Sequence, residues 1–375
     1  MERIGVFGGS FNPVHIEHVK IAQAAINQFS LDKLIVMPTY ISPHKKDASL
    51  APAEVRIKAL ELAFREVRGA TVSDYEIKKG GISFTYMTLE YLKNEYDAEL
   101  YFLMGADMLA DFPTWRKPDE IVSLAKIVVT GREGEDLAAA LSAFYDRFGF
   151  RPFVSVYHGA NVSSTKIRNY LTLGLPVSDM TGENVAEYLE NERVYDGGEY
   201  AYCADYVKKA LKRKRLIHTA GVMTLAESYA KRLGVDPNKA RLAAMLHDVA
   251  KYMRYEDLSL VPPEGVPESV LHQFLGAYIC ENVLNIRDED VLNAVRYHTT
   301  GRADMSTLEM IIFTADLLEE GRDYDEVQEL RKRVDDDFDK GFSYCVKRMM
   351  SFLEQERREN DVYYLTRQCE EYYCK

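Results

Sequence analysis

Residues 3–18 read RIGVFGGSFNPVHIEH, and this stretch decides the fold of the first half of the chain. The apolar run at 4–7 is typical of a buried strand, and the two glycines that follow end it. A helical pattern of apolar residues then occupies residues 16–29. A strand that leads through a glycine turn into a helix is the unit of a parallel sheet covered by helices. Ligands of such folds bind at the carboxyl ends of the strands.

The same alternation of strand and helix patterns continues to about residue 157. Residues 53–67 repeat the helical period, and short apolar runs separate segments of this kind. The sequence therefore predicts a Rossmann-like α/β domain built on a parallel sheet. The further predicted strands are residues 34–37, 100–104, 127–130 and 153–157.

Strand patterns stop after residues 195–198, which read YDGG. Apolar residues then recur at helical spacing over 222–233, and Gly234 supplies a helix end. Asp236 followed by Pro237 is typical of an N-cap and a first helical position. The second half is predicted to be all-α. We expect two domains, residues 1–196 and 199–375.

Length and composition limit the class of protein. The 375 residues exceed one ordinary core and indicate two domains of about 150–200 residues. The net charge of −12 divides equally at Asp196, so neither half has the basic composition of a nucleic-acid binder. No apolar run approaches the roughly 18–20 residues that cross a bilayer, and no signal-peptide pattern precedes the first strand. The five cysteines include no C-x-x-C pair, which argues against a disulfide framework. We expect a cytoplasmic protein that binds neither nucleic acid nor membranes.

The first strand–helix turn has the features of an anion site. Its paired glycines let backbone amides approach a phosphate closely. His15 and His18 are three residues apart at the start of the helix, so both imidazoles face the same side. A helix N-terminus with free N–H groups also attracts anions. The predicted phosphate-binding residues of the turn are Gly8, Gly9, Ser10 and Phe11.

Two further segments carry groups suited to a phosphate ligand. Residues 42–46 read SPHKK and follow the second strand, although such a run is more often a solvated loop. Residues 163–168 read SSTKIR and open another helix, where an N-cap with an exposed arginine is an equal alternative. The candidate binding residues of the two segments are His44, Lys45, Ser164, Thr165 and Arg168.

The GGSFNPVHxxH and SSTxIR runs resemble the two signatures of the nucleotidyltransferase superfamily with paired histidines. Residues 83–86 (SFTY), 105–107 (GAD) and 113–115 (PTW) are similar to segments of the bacterial nicotinate-nucleotide adenylyltransferase family. The resemblance covers residues 1 to about 195. It implies a transfer of the adenylyl group from ATP to nicotinate mononucleotide.

By this resemblance, His15, His18 and Arg168 would hold the ATP phosphates together with Mg²⁺. Asp107, two residues after Gly105, would contact the adenosine side of ATP. Positioning and charge neutralisation would then supply the catalysis, because the reaction needs no nucleophile from the protein.

The resemblance also implies a pocket for the nicotinate ring. Thr85 and Trp115 would fix the ring, and His44 and Lys45 would line the pocket. From the residues alone, Trp115 would be an ordinary half-buried core aromatic. A different acceptor, such as pantetheine phosphate, is the alternative that Thr85 and Trp115 oppose.

The chain departs from the family pattern at three positions. Asn12 replaces a common aspartate, Glu17 a common glycine and Ser42 a common proline. Glu17 adds a negative charge close to the expected phosphates. We therefore expect a difference in affinity for ATP rather than in the reaction.

Histidine placement is the main chemical signal of the second half. Four histidines lie in or beside apolar helical stretches, and one lone histidine there is usually a satisfied core residue. Two aspartates occupy similar surroundings, where an isolated charge would cost many kcal/mol. Six such groups together favour a metal site. The predicted ligands are His218, His247, Asp248, His272, His298 and Asp316.

The adjacent His247 and Asp248, with His218 upstream and Asp316 downstream, resemble the HD phosphohydrolase superfamily. Further segments, among them residues 296–302 (RYHTTGR), are similar to its symmetrical diadenosine tetraphosphate hydrolases over residues 199 to about 355. The resemblance implies two divalent metals, with iron the expected ion, bridged by Asp248. Six N/O ligands without thiolate suit Fe, Mn, Co or Zn. Lys251, one turn after His247, would meet a substrate phosphate, although a surface lysine is the commoner case.

These patterns together predict a bifunctional enzyme whose ligands are ATP, nicotinate mononucleotide and diadenosine tetraphosphate or a related nucleotide. The alternative keeps the transferase and makes the helical half a regulatory module without catalysis. The sequence leaves the oligomeric state open, a homo-oligomer included.

Overall fold

The computed structural model describes residues 1–43, 50–131, 137–160, 162–355 and 362–375. The chain divides into two compact units, and each consists of two segments. The first unit is Met1–Arg168 with Pro176–Tyr195, and the second is Asn169–Leu175 with Asp196–Lys375.

The first unit is built on a six-stranded parallel sheet, which confirms the predicted α/β fold. The strand order is β3-β2-β1-β4-β5-β6, and every recorded pairing is parallel. The direction of the order changes between β1 and β4, where Phe7 pairs with Leu103. The carboxyl ends of these two strands therefore lie side by side at the switch point, where ligands of such sheets bind. The strands are β1 Glu2–Gly9, β2 Lys33–Pro38, β3 Ala70–Val72, β4 Ala98–Gly105, β5 Ala125–Thr130 and β6 Phe153–Val154.

Apolar side chains of the central strands form the core of this unit. Ile4, Leu34 and Leu100 are at most 1% exposed, and each such side chain contributes roughly 1.5–3 kcal/mol on burial. The last strand is shorter than predicted, because Tyr157 leaves the sheet and donates its hydroxyl to Glu17. The helices are α1 Ile16–Phe29, α2 Ala53–Phe64, α3 Tyr75–Lys79, α4 Thr85–Glu95, α5 Pro118–Leu124, α6 Ala138–Phe148, α7 Ser164–Thr172, α8 Ser178–Thr181 and α9 Glu183–Glu192.

The second unit is helical throughout its described residues, as the sequence predicts. Gly234 ends α11 with a left-handed φ of 72°, and Asp236 caps α12 by accepting a hydrogen bond from the Asn238 amide. The helices are α10 Ala201–Ala210, α11 Arg213–Leu233, α12 Pro237–Leu246, α13 Glu268–Asn282, α14 Glu289–Arg296, α15 Thr307–Leu318, α16 Val327–Asp336, α17 Phe338–Gln355 and α18 Tyr364–Tyr373. Among the described residues, no helix combines the length and the apolar character needed to span a membrane.

Candidate active sites

The turn after β1 is tightly built. A Cβ at Gly9 would lie 3.1 Å from the Phe11 ring, so a side chain there would press on it. Phe11 itself has a φ of 44°, a left-handed value that non-glycine residues rarely adopt. Such conformations concentrate at functional sites. The turn residues Gly8, Gly9, Ser10 and Phe11 therefore form one constrained loop at the switch point of the sheet.

His15 and His18 lie at the start of α1 and face each other. Their ring centroids are 3.7 Å apart in a stacked arrangement. The backbone N–H of His15 donates to Nδ1 of His18 over 3.1 Å. Nδ1 of His18 must accept in this bond, so the proton of the neutral ring is on Nε2. Nε2 of His18 can therefore donate to an anion.

The two sequence motifs meet at the amino end of α7. Arg168 donates through Nη1 to the carbonyl of Asn12 over 2.9 Å and through Nη2 to Oγ1 of Thr165 over 3.2 Å. The Ser164 hydroxyl donates to the Pro13 carbonyl over 2.8 Å. These contacts bring the SSTKIR segment against the loop that the GGSFNP run forms.

Two residues that the sequence did not single out hold this loop. Arg56 is 3% exposed and donates through Nη1 to the carbonyls of Ser10 and Thr39, over 2.9 and 2.8 Å. Tyr195 donates its hydroxyl over 2.7 Å to Oδ1 of Asn12. That oxygen also accepts a hydrogen bond from the Ala51 amide, so the family departure at Asn12 has a structural role. No local pattern marks Arg56 or Tyr195, since their partners are distant in sequence.

The negative charge of Glu17 is compensated by neighbouring hydrogen-bond donors. Its carboxylate accepts hydrogen bonds from the Tyr157 hydroxyl at 2.6 Å, the Ala160 amide at 2.8 Å and Lys20 at 2.9 Å. Burial raises the pKa of Glu17, but the bonds from Tyr157 and Lys20 outweigh it and the pKa is lowered overall. The extra negative charge is therefore neutralised within the protein.

A cavity of about 300 Å³ lies beside the amino end of α4. Thr85 and Trp115, which were predicted to share a pocket, both line it. Arg116 also lines it, with its guanidinium carbon 4.8 Å above the centre of the Phe84 ring. The sequence analysis missed Arg116. The described cavity-lining residues are Pro43, Phe84, Thr85, Thr114, Trp115, Arg116 and Ile121.

Trp115 belongs to the core as well as to the cavity wall. It is 7% exposed, and its ring centroid lies 5.2 Å from that of Phe112 and 6.2 Å from that of Phe102. His44 and Lys45, predicted to line the same pocket, lie outside the described residues.

Gly105 is the last residue of β4 and Asp107 follows it, beside the end of β1. A Cβ at Gly105 would lie 2.5 Å from Oδ1 of Asp107. The glycine therefore makes the space that the carboxylate occupies. Asp107 therefore lies near the switch point, and its role in nucleotide binding stays a prediction.

The six predicted metal ligands converge in the second unit. Donor atoms of His218, His247 and Asp248 lie within 4.8 Å of one another, and so do those of Asp248, His272 and His298. Asp248 is common to both groups. Asp316 adds an oxygen 3.0 Å from Nε2 of His218.

Backbone carbonyls orient two of the imidazoles. Nδ1 of His247 lies 2.6 Å from the Ala244 carbonyl, and Nδ1 of His298 lies 2.8 Å from the Val295 carbonyl. Each Nδ1 must therefore carry the proton, which leaves Nε2 with a free lone pair. Nε2 of His247 and Oδ1 of Asp248 are buried and make no hydrogen bond to a described residue. Buried polar atoms of this kind require a partner, and these donors fit a divalent metal ion.

The protonation states of Asp248 and His272 also suit a metal. Burial raises the pKa of Asp248, but the imidazoles of His247 and His298 outweigh it and hold the pKa well below its usual value. Burial, with His298 and Lys251 adding to it, lowers the pKa of His272 to about 3. The aspartate is therefore charged and His272 is neutral near pH 7, which are the forms that bind metals.

Cationic side chains surround the cluster. Nζ of Lys251 lies 3.0 Å from Nε2 of His272 and 3.5 Å from Oδ1 of Asp248. Arg215, which the sequence analysis missed, lies 2.7 Å from Oδ2 of Asp248. Its position one turn before His218 is the signal that could have found it.

Arg302, the last residue of the RYHTTGR run, forms an ion pair outside the metal cluster. It binds both carboxylate oxygens of Glu309, over 2.8 and 2.7 Å. Glu309 is 1% exposed and the Arg302 side chain is 29% exposed, so the arginine neutralises a buried carboxylate from a partly exposed position.

The fold and the two clusters define a nucleotidyltransferase domain joined to a helical domain with a divalent-metal site. Residues 6–170 match the Cytidylyltransferase-like family, and residues 215–321 match the HD domain family. The chain belongs to the nicotinate-nucleotide adenylyltransferase family and carries an HD domain in its second half.

Three proteins that are similar to this chain can be named. The "Probable nicotinate-nucleotide adenylyltransferase" of Clostridium botulinum is 35% identical over 198 residues, which are 52% of this chain and 98% of that protein. The "Probable nicotinate-nucleotide adenylyltransferase/Ap4A hydrolase" of Mycoplasma genitalium is 28% identical over 328 residues, which are 86% of this chain and 88% of that protein. A crystal structure described as a "predicted HD superfamily hydrolase involved in NAD metabolism" from Clostridium acetobutylicum is 31% identical. It covers 47% of this chain and 96% of its own, with a TM-score of 0.42.

Proposed function

We propose that the chain is a bifunctional enzyme of nucleotide metabolism. The first domain transfers the adenylyl group of ATP to nicotinate mononucleotide, which gives deamido-NAD and pyrophosphate. The second hydrolyses diadenosine tetraphosphate to two molecules of ADP. The observation that carries the proposal is that each unit has its own cluster of candidate site residues. In the first unit, His15, His18 and Arg168 lie at the loop formed by the GGSFNP run. In the second, six potential metal ligands surround Asp248.

In the transfer reaction, a phosphate oxygen of the acceptor attacks the α-phosphorus of ATP. The new P–O bond forms as the bond to the β-phosphate breaks, and pyrophosphate leaves. Nε2–H of His18 and the guanidinium of Arg168 lie at the constrained loop, where they stabilise the phosphate charge. Mg²⁺ bound with ATP would neutralise further charge. The protein contributes position and electrostatics, without a covalent intermediate.

The acceptor binds in the cavity beside α4. Trp115 and Phe84 offer aromatic surface to a pyridine ring, and Thr85 offers a hydroxyl. The Arg116 guanidinium lies at the same cavity and carries the positive charge that an anionic ring favours. Nicotinate has a ring carboxylate that nicotinamide and the pantetheine chain lack. Arg116 therefore supports nicotinate mononucleotide as the acceptor.

In the hydrolysis reaction, water adds to one of the two central phosphorus atoms and the bridging bond between them breaks. His218, His247, Asp248, His272, His298 and Asp316 would hold two divalent ions, and we propose iron. Such ions activate water and stabilise the attacking and leaving oxygens. Lys251 and Arg215 lie within 3.5 Å of Asp248 and are placed to bind the phosphate chain beside the ions.

Two assays with the full chain test these assignments. In the first, nicotinate mononucleotide, nicotinamide mononucleotide and pantetheine phosphate are compared as acceptors with saturating ATP. A preference for pantetheine phosphate would contradict the assigned acceptor.

In the second assay, diadenosine tetraphosphate is incubated with Fe²⁺, Mn²⁺ or Co²⁺ and the products are separated by chromatography. ADP is expected as the sole nucleotide. ATP with AMP would contradict the assigned bond, and no turnover with any ion would favour a regulatory module.

A further inference from the structure

His218 is oriented differently from His247 and His298, two other imidazoles of the metal cluster. His247 and His298 each have Nδ1 beside a backbone carbonyl. Nδ1 of His218 instead lies 3.0 Å from Oε1 of Glu319, a side-chain carboxylate. Nε2 of His218 lies 3.0 Å from Oδ1 of Asp316, on the side of the predicted metal. Glu319 thus contacts the ring atom that faces away from the cluster.

The structure holds Glu319 in one place. The residue is 4% exposed and directly follows α15, three residues after Asp316. Its second oxygen accepts a hydrogen bond from the Gly321 amide over 2.6 Å. The carboxylate therefore reaches His218 from a fixed position, and one short segment supplies both Asp316 and Glu319.

The helix opposite makes room for this carboxylate. Gly221 lies three residues after His218 on α11, so it is on the same face of the helix. A Cβ at Gly221 would overlap Oε2 of Glu319, and the next two atoms it would meet also belong to Glu319. Glycine inside a helix costs roughly 0.5–1 kcal/mol relative to alanine. The space that Gly221 leaves is occupied by Glu319.

We propose that Glu319 is a positioning residue for His218, and that Gly221 is the glycine that admits it. This inference rests on the proposed metal site. A carboxylate at Nδ1 fixes the tautomer and the ring orientation and makes Nε2 a stronger donor. Glu319 therefore strengthens the metal position that His218, His247 and Asp248 form, and acts less on the position that includes His272 and His298.

Metal binding by the metal-free full chain tests the proposal without reference to turnover. Co²⁺ is added anaerobically, and the visible spectrum and the metal content per chain are recorded at each free concentration. Glu319→Ala should weaken one of two bound ions by about 10–100-fold, the usual effect of removing such a partner. Glu319→Gln should fall between that variant and the wild type, because its amide oxygen still accepts from Nδ1–H but carries no charge.

Two comparison variants make the result specific. Glu227→Ala removes another buried carboxylate of α11, which binds Asn169 and Arg241. It should leave both affinities unchanged even if it lowers stability. His272→Ala should weaken the other ion, so its spectrum on Co²⁺ addition identifies which position Glu319 affects.

Substitution of Gly221 gives a second test of the same proposal. Gly221→Ala should weaken the same ion as Glu319→Ala, although alanine favours the helix. The double variant should bind no more weakly than Glu319→Ala alone, because the added methyl then meets no carboxylate. The inference would be overturned if Glu319→Ala bound both Co²⁺ ions with wild-type affinity. It would also be overturned if the loss of Co²⁺ affinity in the double variant equalled the product of the two single losses. A wild-type chain that binds no metal would instead overturn the proposed hydrolase site, and the inference with it.

Discussion

Trp115 is part of both the cavity wall and the hydrophobic core, and a test of its role must separate the two. It lines the proposed acceptor cavity, yet it is 7% exposed and packs on Phe102 and Phe112 in the core. Trp115→Ala would therefore remove core contacts together with the ring surface. A buried aromatic replaced by alanine costs about 3–5 kcal/mol of stability. Trp115→Phe keeps an aromatic side chain in the core and is the informative substitution.

The expected effect on the acceptor follows from the lost ring contact. Aromatic pairs contribute roughly 0.5–1.5 kcal/mol beyond area burial. If the phenylalanine ring no longer overlaps the pyridine, the KM for nicotinate mononucleotide should rise about two- to tenfold. The KM for ATP should stay within about twofold of wild type, because the residues predicted to hold the ATP phosphates, His15, His18 and Arg168, do not line the cavity that Trp115 lines.

The assay varies each substrate at a saturating concentration of the other. Phe112→Leu is the matched control, since Phe112 is fully buried against Trp115 but does not line the cavity. It should lower the unfolding midpoint and leave the ratio of the two KM values unchanged. Equal losses for both substrates in Trp115→Phe would refute the acceptor role and leave Trp115 as a core residue.

Three further outcomes are expected. Arg302→Ala should lower the free energy of unfolding by about 3–5 kcal/mol, because it leaves buried Glu309 without its partner. A raised KM for diadenosine tetraphosphate with an unchanged free energy of unfolding would contradict this structural role of Arg302. His272 takes up a proton near pH 6.5 when unfolded but only near pH 3 when folded. The unfolded metal-free chain therefore binds more protons between these values, so stability should decrease as the pH is lowered from 6.5 to 3, by up to about 1.4 kcal/mol per pH unit. Denaturant titrations at pH 4.5 and 7.5 should show a smaller difference for His272→Gln, and an equal difference would contradict the argument. Arg116→Gln should raise the KM for nicotinate mononucleotide more than that for ATP, and equal changes would remove Arg116 from the acceptor site.

Local patterns were sufficient to predict both folds. Buried parallel strands read as near-continuous apolar runs, and the helices of the second half carry clear end signals such as Gly234 and Asp236. The motif residues were also visible in the sequence, because the histidines and aspartates stand out against apolar surroundings. Their convergence on Asp248 required the structure.

The residues that sequence reasoning missed depend on contacts between distant segments. Arg56 binds the carbonyls of Ser10 and Thr39, and Glu319 reaches His218 from 101 positions away. A charged residue among other charged residues gives no sign of such a partner. Glu17 shows the same limit, since its charge was expected near the phosphates and the structure compensates it with Tyr157 and Lys20.

The central claim is that one chain carries two independent active sites. Both activities are measured on the same preparations of wild type, His18→Ala and Asp248→Asn. His18→Ala should lower adenylyl transfer by on the order of 10²-fold or more and leave diadenosine tetraphosphate hydrolysis unchanged. Asp248→Asn should lose metal and hydrolysis together and keep normal transfer. Parallel loss of both activities in either folded variant, or hydrolysis that survives in Asp248→Asn, would contradict the account.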